Sequence, residues 1–347
     1  MENKLHTLNS KLIKETAHEL GFFACGIAKA ERVNTEAEEH FRQWLSKGGH
    51  ADMAYMENYI DQRLDPRLLM EGAKSIVCVA LNYAPLHSNH KSQASTLKPQ
   101  TSNLKPQTLN IAAYALGQDY HDVVKQKLRQ LFSKLEALAE GVKGRVFCDS
   151  APLLERYWAE QSGLGWTGRN HQLIIPHAGT MFFLGELLLD VELDYDTPMP
   201  NRCGNCHRCI DACPTHALTT QTSNLNSQTS NLKPQTSNFN AEACLSYQTI
   251  ENRGPIAPQY AKAMGNTIYG CDRCQQVCPW NRFAVPNTEP LLQPKPELLA
   301  MSRDDWEQLT IEDYRRLFKG SAVKRAKYEG LMRNIRAVSH SQEEEEE

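Results

Sequence analysis

The chain lacks the features of a membrane-spanning or exported protein. None of its apolar runs reaches eighteen residues, roughly the length that spans a bilayer as a helix. The N-terminal residues have neither the charged start and apolar centre of a signal peptide nor a twin-arginine pair. We therefore expect a cytoplasmic protein without membrane contact, in which the eleven cysteines are metal ligands rather than disulfides.

The chain also lacks a strong overall charge. Its net charge is −3, so the field of the whole molecule does not indicate nucleic-acid binding. The charge is uneven, however, because residues 343–347 are all glutamate and residues 315–336 hold eight basic side chains and one acid. We predict a disordered acidic tail at 341–347. The basic run predicts phosphate contacts, with a solvated helix face as the alternative, and its candidate tRNA-binding residues are Lys324, Arg325, Lys327 and Arg333.

The cysteines form two closely spaced runs. The first, Cys203, Cys206, Cys209 and Cys213-Pro214, has the spacing C-x2-C-x2-C-x3-C-P of a bacterial [4Fe–4S] ferredoxin. The second, Cys271, Cys274 and Cys278-Pro279, lacks the first cysteine of that pattern, which Cys244 can replace. In two-cluster ferredoxins the last cysteine of each run binds the other cluster. One cluster is therefore predicted on Cys203, Cys206, Cys209 and Cys278, and the other on Cys213, Cys244, Cys271 and Cys274.

Two zinc sites are the alternative for these cysteines, but the interleaved pattern and both Cys-Pro endings favour iron–sulfur clusters. The remaining cysteines, Cys25, Cys78 and Cys148, lie in predicted strands and are expected to be buried, inert thiols.

Up to about residue 195 the chain alternates helical and strand patterns. Helices are predicted at 5–20, 35–45, 120–139 and 153–161, and strands at 22–28, 75–81, 145–148, 172–175 and 180–190. The apolar run 75–81 is typical of a strand buried on both faces. Further helices are predicted at 296–301, 302–309, 311–318 and 323–338. These patterns predict an N-terminal domain at 1–195, a cysteine-rich domain at 196–285 and a helical segment at 286–340.

Two polar segments interrupt the pattern, at residues 95–108 and 220–239. Both are built from one unit close to Leu-Lys-Pro-Gln-Thr-Ser-Asn and lack apolar periodicity. We expect low-complexity inserts in surface loops, since such loops tolerate added length. A repeated binding element is the alternative.

Several motifs outside the cysteine runs resemble the epoxyqueuosine reductase family. They include residues 114–121 (YALGQDYH), 147–156 (FCDSAPLLER), 163–170 (GLGWTGRN) and 244–251 (CLSYQTIE). The resemblance implies an α+β fold, in which a nitroreductase-like or cobalamin-processing-like α/β domain precedes a two-cluster ferredoxin-like domain and C-terminal helices. It implies an enzyme that reduces the epoxide of epoxyqueuosine at the tRNA wobble position to queuosine, with electrons passing from two [4Fe–4S] clusters to cobalamin.

The same resemblance implies the partners and the site. The partners would be tRNA carrying epoxyqueuosine and a reductant protein such as flavodoxin or ferredoxin, and the chain would be a monomer. Asp149 would be the catalytic acid. The residues implied as cofactor contacts are Arg63, Asp149, Arg169, His171, Ser246, Tyr247 and Gln248. Two other functions remain as alternatives: a corrinoid iron–sulfur reductive dehalogenase, which would carry a twin-arginine signal, and a plain ferredoxin-type electron carrier, which would not need a large N-terminal domain.

The chemistry of the residues agrees with an epoxide reductase. Removing an epoxide oxygen needs two electrons and two protons, and a carboxylic acid kept neutral in an apolar pocket suits the proton donor. Asp149 could fill this role, with a helix N-cap as the alternative. The lower-ligand motif Asp-x-His-x-x-Gly of cobalamin proteins is absent, because Val124 replaces the glycine after Asp119 and His121. Cobalamin would therefore bind without that histidine. The G-x-G-x-x-G at Gly163 is expected to be a turn that lets the backbone approach the corrin.

Overall fold

The computed structural model describes residues 8–85, 108–220 and 237–343 and has a four-stranded sheet at its centre. The strands are β1 Ala24–Lys29, β2 Ser75–Asn82, β3 Asn110–Ile111, β4 Gly144–Phe147, β5 Trp166–Thr167, β6 Leu173–Ile174, β7 Phe182–Leu189, β8 Leu218–Thr220, β9 Ser237–Phe239 and β10 Thr267–Tyr269. The helices are α1 Ser10–Glu19, α2 Thr35–Ser46, α3 Ile60–Leu64, α4 Tyr120–Leu138, α5 Glu155–Gln161, α6 Arg208–Asp211, α7 Leu245–Ile250, α8 Pro258–Met264, α9 Arg273–Gln276, α10 Pro296–Leu299, α11 Arg303–Glu307, α12 Ile311–Leu317 and α13 Lys327–Glu343. Short 3-10 helices lie at Ala54–Met56, Pro66–Leu68, Ala113–Ala115, Pro279–Phe283, Pro290–Leu292 and Ala322–Ala326.

The central sheet has the order β1-β2-β7-β4, and every neighbouring pair is antiparallel. Alternate residues of β2 enter two separate cores. Val77 and Val79 belong to the core on one face, and Ile76 and Ala80 to the core on the other. The prediction that this strand is buried on both faces is confirmed. Such burial is more typical of parallel sheets, and it occurs here because helices cover both faces.

Helix α4 covers one face of the sheet and places the first functional residues. Its side chains Val124, Leu128, Leu131 and Leu135 are buried against the sheet at helical spacing. The side chain of Asp119 caps the helix by accepting a hydrogen bond from the His121 amide. The predicted helix 120–139 agrees with this element. Because the cap fixes the first turn, Tyr120 and His121 have defined positions at its N-terminal end.

The C-terminal helices form a second core with the short strand β10. Strand β10 pairs with β3 in parallel, which joins the segment after α8 to the segment before α4. Buried Asn334 of α13 donates hydrogen bonds to the carbonyls of Thr249 and Ile268, both at 2.8 Å. The predicted helix 323–338 is in fact two elements, because Lys327 adopts a left-handed backbone (φ 62°) between the 3-10 helix Ala322–Ala326 and the rest of α13.

Both predicted low-complexity segments lie mostly outside the described residues. Residues 95–107 and 221–236 are not described, nor is the end of the predicted acidic tail at 344–347. The last part of the second segment differs from the prediction, because Ser237–Phe239 forms strand β9 against β8. Among the described residues, no helix has the length and apolarity needed to span a bilayer.

Candidate active site and cluster-binding segment

The first predicted set of four cysteines lines one cavity. Cys203, Cys206, Cys209 and Cys278 surround a space of about 250 Å³, although Cys278 comes from the second run of the sequence. Burial raises the pKa of Cys209 to about 11, and the neighbouring thiols of Cys203, Cys278 and Cys206 add to this effect. The fold therefore brings together the four cysteines that the interleaved spacing assigns to one cluster.

The second predicted set lies next to the first. Burial raises the pKa of Cys274, and the next contributions come from the thiols of Cys271, Cys244, Cys209 and Cys213, in that order. Three of these four neighbours belong to the second set, and Cys209 belongs to the first. Thiols within electrostatic reach of one another oppose each other's ionisation, and the cationic iron of a cluster would offset this repulsion.

The second cysteine run is fixed to the ends of the central strands β2 and β7 by polar side chains. Gln275, one residue after Cys274, accepts hydrogen bonds from the Tyr83 hydroxyl at 3.0 Å and the Thr180 hydroxyl at 3.1 Å. Asn281 accepts from the Thr180 amide at 2.7 Å. Asp272 accepts from the Ala113 amide at 2.7 Å, in the segment that leads into α4. The second cysteine run, the ends of β2 and β7 and the segment before α4 are therefore joined by one set of hydrogen bonds.

Asp149 lies at the end of β4, beside the first turn of α4. Its carboxylate accepts hydrogen bonds from the Tyr120 hydroxyl at 2.5 Å and from Nε2 of His121 at 3.1 Å. Nδ1 of His121 contacts the carboxylate of Asp119 at 2.7 Å, so the imidazole bridges two carboxylates. The backbone of Asp149 is left-handed (φ 55°), and its amide donates to the carboxylate of Glu155. The N-cap alternative is wrong, because Leu154 holds that position of α5.

The expectation that Asp149 is a neutral acid differs from its environment. Burial alone raises the pKa of Asp149, but the hydrogen bonds from His121 and Tyr120 outweigh burial and lower it. For His121 burial lowers the pKa, whereas the bonds to Asp119 and Asp149 raise it to about 9. At neutral pH the pair is therefore a carboxylate and an imidazolium. The proton that the site can supply resides on His121 and on the Tyr120 hydroxyl.

The neutral carboxyl groups lie deeper, in the sheet. Glu186 of β7 is fully buried opposite Phe147 of β4 and Cys78 of β2, and neither of its carboxyl oxygens has a hydrogen-bond partner among the described residues. Burial, reinforced by the neighbouring Glu155, raises its pKa well above the usual range. Burial and the charge of Asp149 raise the pKa of Glu155 to about 7. These two glutamates hold protons behind the Asp149 loop.

Relatives with known names match most of this chain. The family model for epoxyqueuosine reductase QueG, DUF1730, matches residues 63–150, and the model for a 4Fe-4S double cluster binding domain matches residues 202–281. The epoxyqueuosine reductase of Cellulophaga algicola is 42% identical over 94% of this chain and 97% of its own length. That of Escherichia coli is 36% identical over 93% of this chain and 78% of its own length. The chain belongs to the epoxyqueuosine reductase family.

Solved structures of the family have the same fold. An epoxyqueuosine reductase crystallised with an epoxyqueuosine-modified tRNA-Tyr stem loop superposes with a TM-score of 0.79 at 25% identity, over 96% of this chain and 81% of that chain. The enzyme of Streptococcus thermophilus gives a TM-score of 0.78 at 28% identity, over 96% and 82%. A Bacillus subtilis enzyme, with its catalytic aspartate loop swung out of the active site, gives 0.78 at 25% identity, over 96% and 81%.

The family motif at 244–251 provides backbone rather than side chains. The amides of Ser246 and Tyr247 donate to the Cys244 sulfur, and they offset part of the rise in its pKa that burial causes. The Tyr247 hydroxyl donates to Asp52 at 3.0 Å. Gln248 is buried, and its side chain donates to the Glu242 carbonyl. The Tyr247 and Gln248 side chains thus also hold the protein together, Ser246 is partly exposed, and the cofactor contacts of all three stay a prediction.

The other predicted cofactor residues lie on two sides of the site. Arg63 is buried, with its guanidinium 5.9 Å from the Phe41 ring centroid, and its Nε has no partner among the described residues. Arg169 lines the cavity of the first cysteine set and donates to the Gly204 carbonyl at 2.7 Å. His171 has a left-handed backbone (φ 57°) and lies 5.4 Å from the Phe239 ring. Arg169 and His171 therefore border the cluster segment.

The glycines of the G-x-G-x-x-G motif serve packing within the protein. A Cβ at Gly165 would collide with the carbonyl of Ile174 in β6, and one at Gly163 would meet the carbonyl of Thr197 at 2.8 Å. Gly163 also has a left-handed backbone (φ +72°). The motif was expected to let the backbone approach a corrin. In the structure its glycines allow β5 and β6 to pair closely. The motif follows helix α5 rather than a strand.

The predicted tRNA-binding cations divide into two groups. Arg333 donates to the carbonyls of Asn252, Gly254 and Gln248 at 2.6, 2.7 and 2.9 Å, and burial lowers its pKa. The guanidinium therefore holds α7 and the chain that follows it, and a role of Arg333 in tRNA binding stays a prediction. Arg325 is paired with both carboxylate oxygens of Glu251, at 2.8 and 2.7 Å. Lys324 and Lys327 are exposed and form no salt bridge with a described residue.

Sequence reasoning missed four residues of the site: Tyr120, His121, Glu155 and Glu186. The segment Asp119-Tyr-His121 was noticed as an incomplete cobalamin-ligand motif, so the signal existed but was assigned to the wrong chemistry. Glu186 gave a second signal, as a charged residue inside an apolar strand pattern. The thiols of Cys78 and Cys148 are buried as expected, with burial as the largest cause of their raised pKa values, and Cys25 is partly buried.

Proposed function

We propose that this chain reduces the epoxide of epoxyqueuosine in tRNA to the alkene of queuosine. Membership of the epoxyqueuosine reductase family and the likeness to a relative crystallised with a modified stem loop support this substrate. The observation that carries the proposal is that Asp272, in the second cysteine run, is hydrogen-bonded to the segment that leads into α4, whose first turn holds Tyr120 and His121 against Asp149. Electrons and protons can therefore reach the same place.

The two [4Fe–4S] clusters fit the two thiol sets. We assign one cluster to Cys203, Cys206, Cys209 and Cys278, whose side chains surround one cavity. We assign the other to Cys213, Cys244, Cys271 and Cys274, whose thiols are mutual neighbours. Since Cys209 and Cys274 also lie within electrostatic reach of each other, electrons could pass between the clusters over a short distance.

Cobalamin would occupy the side of Asp149 that faces Arg63 and Tyr55. Tyr55 lies within electrostatic reach of both Asp149 and Arg63, and the buried Nε of Arg63 lacks a partner among the described residues, which suits a polar group of the cofactor. Ser246, Arg169 and His171 would contact it toward the clusters. Bound cobalamin supplies a reduced metal centre that transfers electrons to the carbon–oxygen bond.

The protein residues supply the protons. Asp149 is ionised at rest and relays a proton: its carboxylate accepts the proton from the His121 imidazolium at 3.1 Å and passes it to the departing oxygen, and a second proton from solvent lets the oxygen leave as water. Tyr120 holds the same carboxylate oxygen at 2.5 Å, so the Asp149 side chain is fixed in one direction. Protonation is required because an unprotonated alkoxide is a poor leaving group.

The rest of the chain would support this reaction. Residues 1–195 would form a nitroreductase-like catalytic domain, residues 196–285 the ferredoxin-like domain and residues 286–340 a supporting helical segment. Lys324 and Lys327, with Arg325 beside them, would contact tRNA phosphates. We further propose that the enzyme works as a monomer in the cytoplasm and receives electrons from a flavodoxin or ferredoxin.

The test is conversion of a stem-loop RNA carrying epoxyqueuosine. The chain is reconstituted anaerobically with iron, sulfide and cobalamin, given a reductant, and the RNA is weighed by mass spectrometry. We expect the RNA to lose one oxygen atom. We expect Asp149→Asn to retain both clusters and bound cobalamin but to lose turnover by about 10²-fold or more, the typical contribution of a proton donor. Full activity of that variant would remove Asp149 from the mechanism.

A further inference from the structure

A second, basic cavity adjoins the loop that carries Asp149. It encloses about 360 Å³ and is lined by three cations, Lys125 and Arg129 of α4 and Arg145 of β4, together with the loop residues 150–152. No acidic side chain contributes to its lining. The cavity therefore has a concentrated positive charge.

None of the three cations is neutralised by the part of the chain that is described. Lys125 and Arg145 use single contacts to neutral groups, and Arg129 forms no hydrogen bond or ion pair with a described residue. Many other basic side chains of the surface are paired, as Arg32 is with Glu38 and Arg316 with Asp313. Three unpaired cations around one concave space repel one another, so the arrangement favours an anionic ligand.

Two of these cations are held in place. Nη1 of Arg145 donates to the Leu69 carbonyl at 2.5 Å, and its guanidinium carbon lies 5.1 Å from the Phe147 ring centroid. Nζ of Lys125 donates to the Ser150 hydroxyl at 2.6 Å. Each contact fixes one donor and leaves the others of the same group for a ligand. Less side-chain entropy is lost on binding when the groups are already positioned.

The position of the cavity relates it to the reaction. Ser150, which borders the cavity, follows Asp149 directly in the chain. Lys125 lies five residues after Tyr120 on α4, about 7 Å along the helix axis. An anion in the cavity would thus bind next to the loop that carries Asp149.

We propose that this cavity binds a backbone phosphate of the tRNA substrate, next to the modified nucleotide. The inference rests on the proposed function, which makes a tRNA stem loop the substrate. Arginine and lysine are the side chains that most often hold nucleic-acid phosphates, and such contacts set the position of a strand without reading its sequence. Here that contact would hold the wobble nucleotide at the Asp149 loop.

The experiment measures binding of the reconstituted chain to a labelled anticodon stem-loop RNA at several salt concentrations. We expect Arg129→Gln/Arg145→Gln to bind about 10-fold or more weakly. The slope of log affinity against log salt should fall by roughly 0.7–0.9 for each phosphate contact removed. A stem-loop of unrelated sequence should lose affinity by the same factor. The matched control is Lys134→Gln, which removes an exposed cation of the same helix that pairs with Glu19 at 3.4 Å, and it should leave affinity and slope unchanged.

Three outcomes would overturn the proposal in different ways. If the double variant binds RNA and responds to salt like the native chain, the phosphate site is wrong while the proposed function stands. If calorimetry shows that the cavity takes inorganic phosphate but RNA affinity does not depend on it, the ligand is a free anion. If the native chain neither binds nor converts the modified stem loop, the proposed function itself is wrong, and the phosphate site that rests on it is wrong as well. Cluster absorbance reports folding, and Arg129→Gln alone repeats the test should the double variant lose its clusters.

Discussion

At the scale of single residues, the site depends on where its protons are held. Asp149 was expected to be a neutral acid, but two donors converge on its carboxylate and lower its pKa, so the proton lies on His121. The sequence identified the carboxylate and could not show this, because Tyr120 and His121 are nearly thirty residues away in the chain. The stacking of Tyr120 on Phe183, 4.4 Å between ring centroids, fixes the donor from its other side.

This arrangement predicts the pH dependence of turnover. His121 is a proton source below its pKa of about 9 and loses that proton as the pH rises through this value. We expect single-turnover rates of the native enzyme to fall above about pH 9. His121→Asn should lose this decline and be slower by about 10²-fold at neutral pH. Rates are measured by quenched mass spectrometry of the RNA, with His340→Asn as the control at an unrelated histidine. An unchanged decline in His121→Asn would contradict the assignment.

At the scale of secondary-structure elements, a buried carboxyl group lowers the stability of the central sheet. The strand pattern at 180–190 predicted β7 correctly, yet periodicity alone could not show that Glu186 points into the protein opposite Cys78. A similar limit applied to the C-terminal helix. The basic run appeared to form one exposed helical face, but the break at Lys327 turns Arg333 inward, onto carbonyls of the segment after α7.

Glu186 should reduce stability as the pH rises. Its pKa is raised in the native state, so the folded chain keeps a proton that the unfolded chain releases above about pH 4.3. The free energy of unfolding therefore falls as the pH rises above this value. The contribution of Glu155 ends near pH 7, where its carboxyl group ionises in the folded chain, whereas that of Glu186 continues until its own raised pKa is passed. We expect Glu186→Gln to melt at least roughly 2 °C higher than the native chain at pH 8, with a smaller difference at pH 5. The measurement is anaerobic thermal melting by circular dichroism.

The control for this comparison is Glu192→Gln, an exposed glutamate shortly after β7, which should melt like the native chain at both values. A variant at Glu186 that melts lower than the native chain at pH 8 would show that the ionised carboxylate is instead stabilised by a partner.

At the scale of the whole molecule, the long-range contacts decide what the sequence can reveal. The cysteine spacing was enough to group eight thiols into two sets, because the ferredoxin pattern specifies which cysteines bind the same cluster. The family motifs identified the loop of Asp149. What remained hidden were the contacts between distant segments: Gln275 with Tyr83, Asp272 with Ala113 and Glu155 with the Asp149 amide. These contacts join segments that are distant in the chain, and no local pattern encodes them.

The central claim is that two one-electron clusters together reduce one epoxide at the Asp149 site. The most direct test reduces the cobalamin-loaded chain anaerobically, removes the excess reductant and mixes it with stem-loop RNA carrying epoxyqueuosine. Visible absorbance follows the clusters, and mass spectrometry follows the RNA. We predict that both clusters are reoxidised as about one RNA per chain loses its oxygen. Loss of the oxygen while the clusters stay reduced, or oxidised clusters with unchanged RNA, would contradict the account.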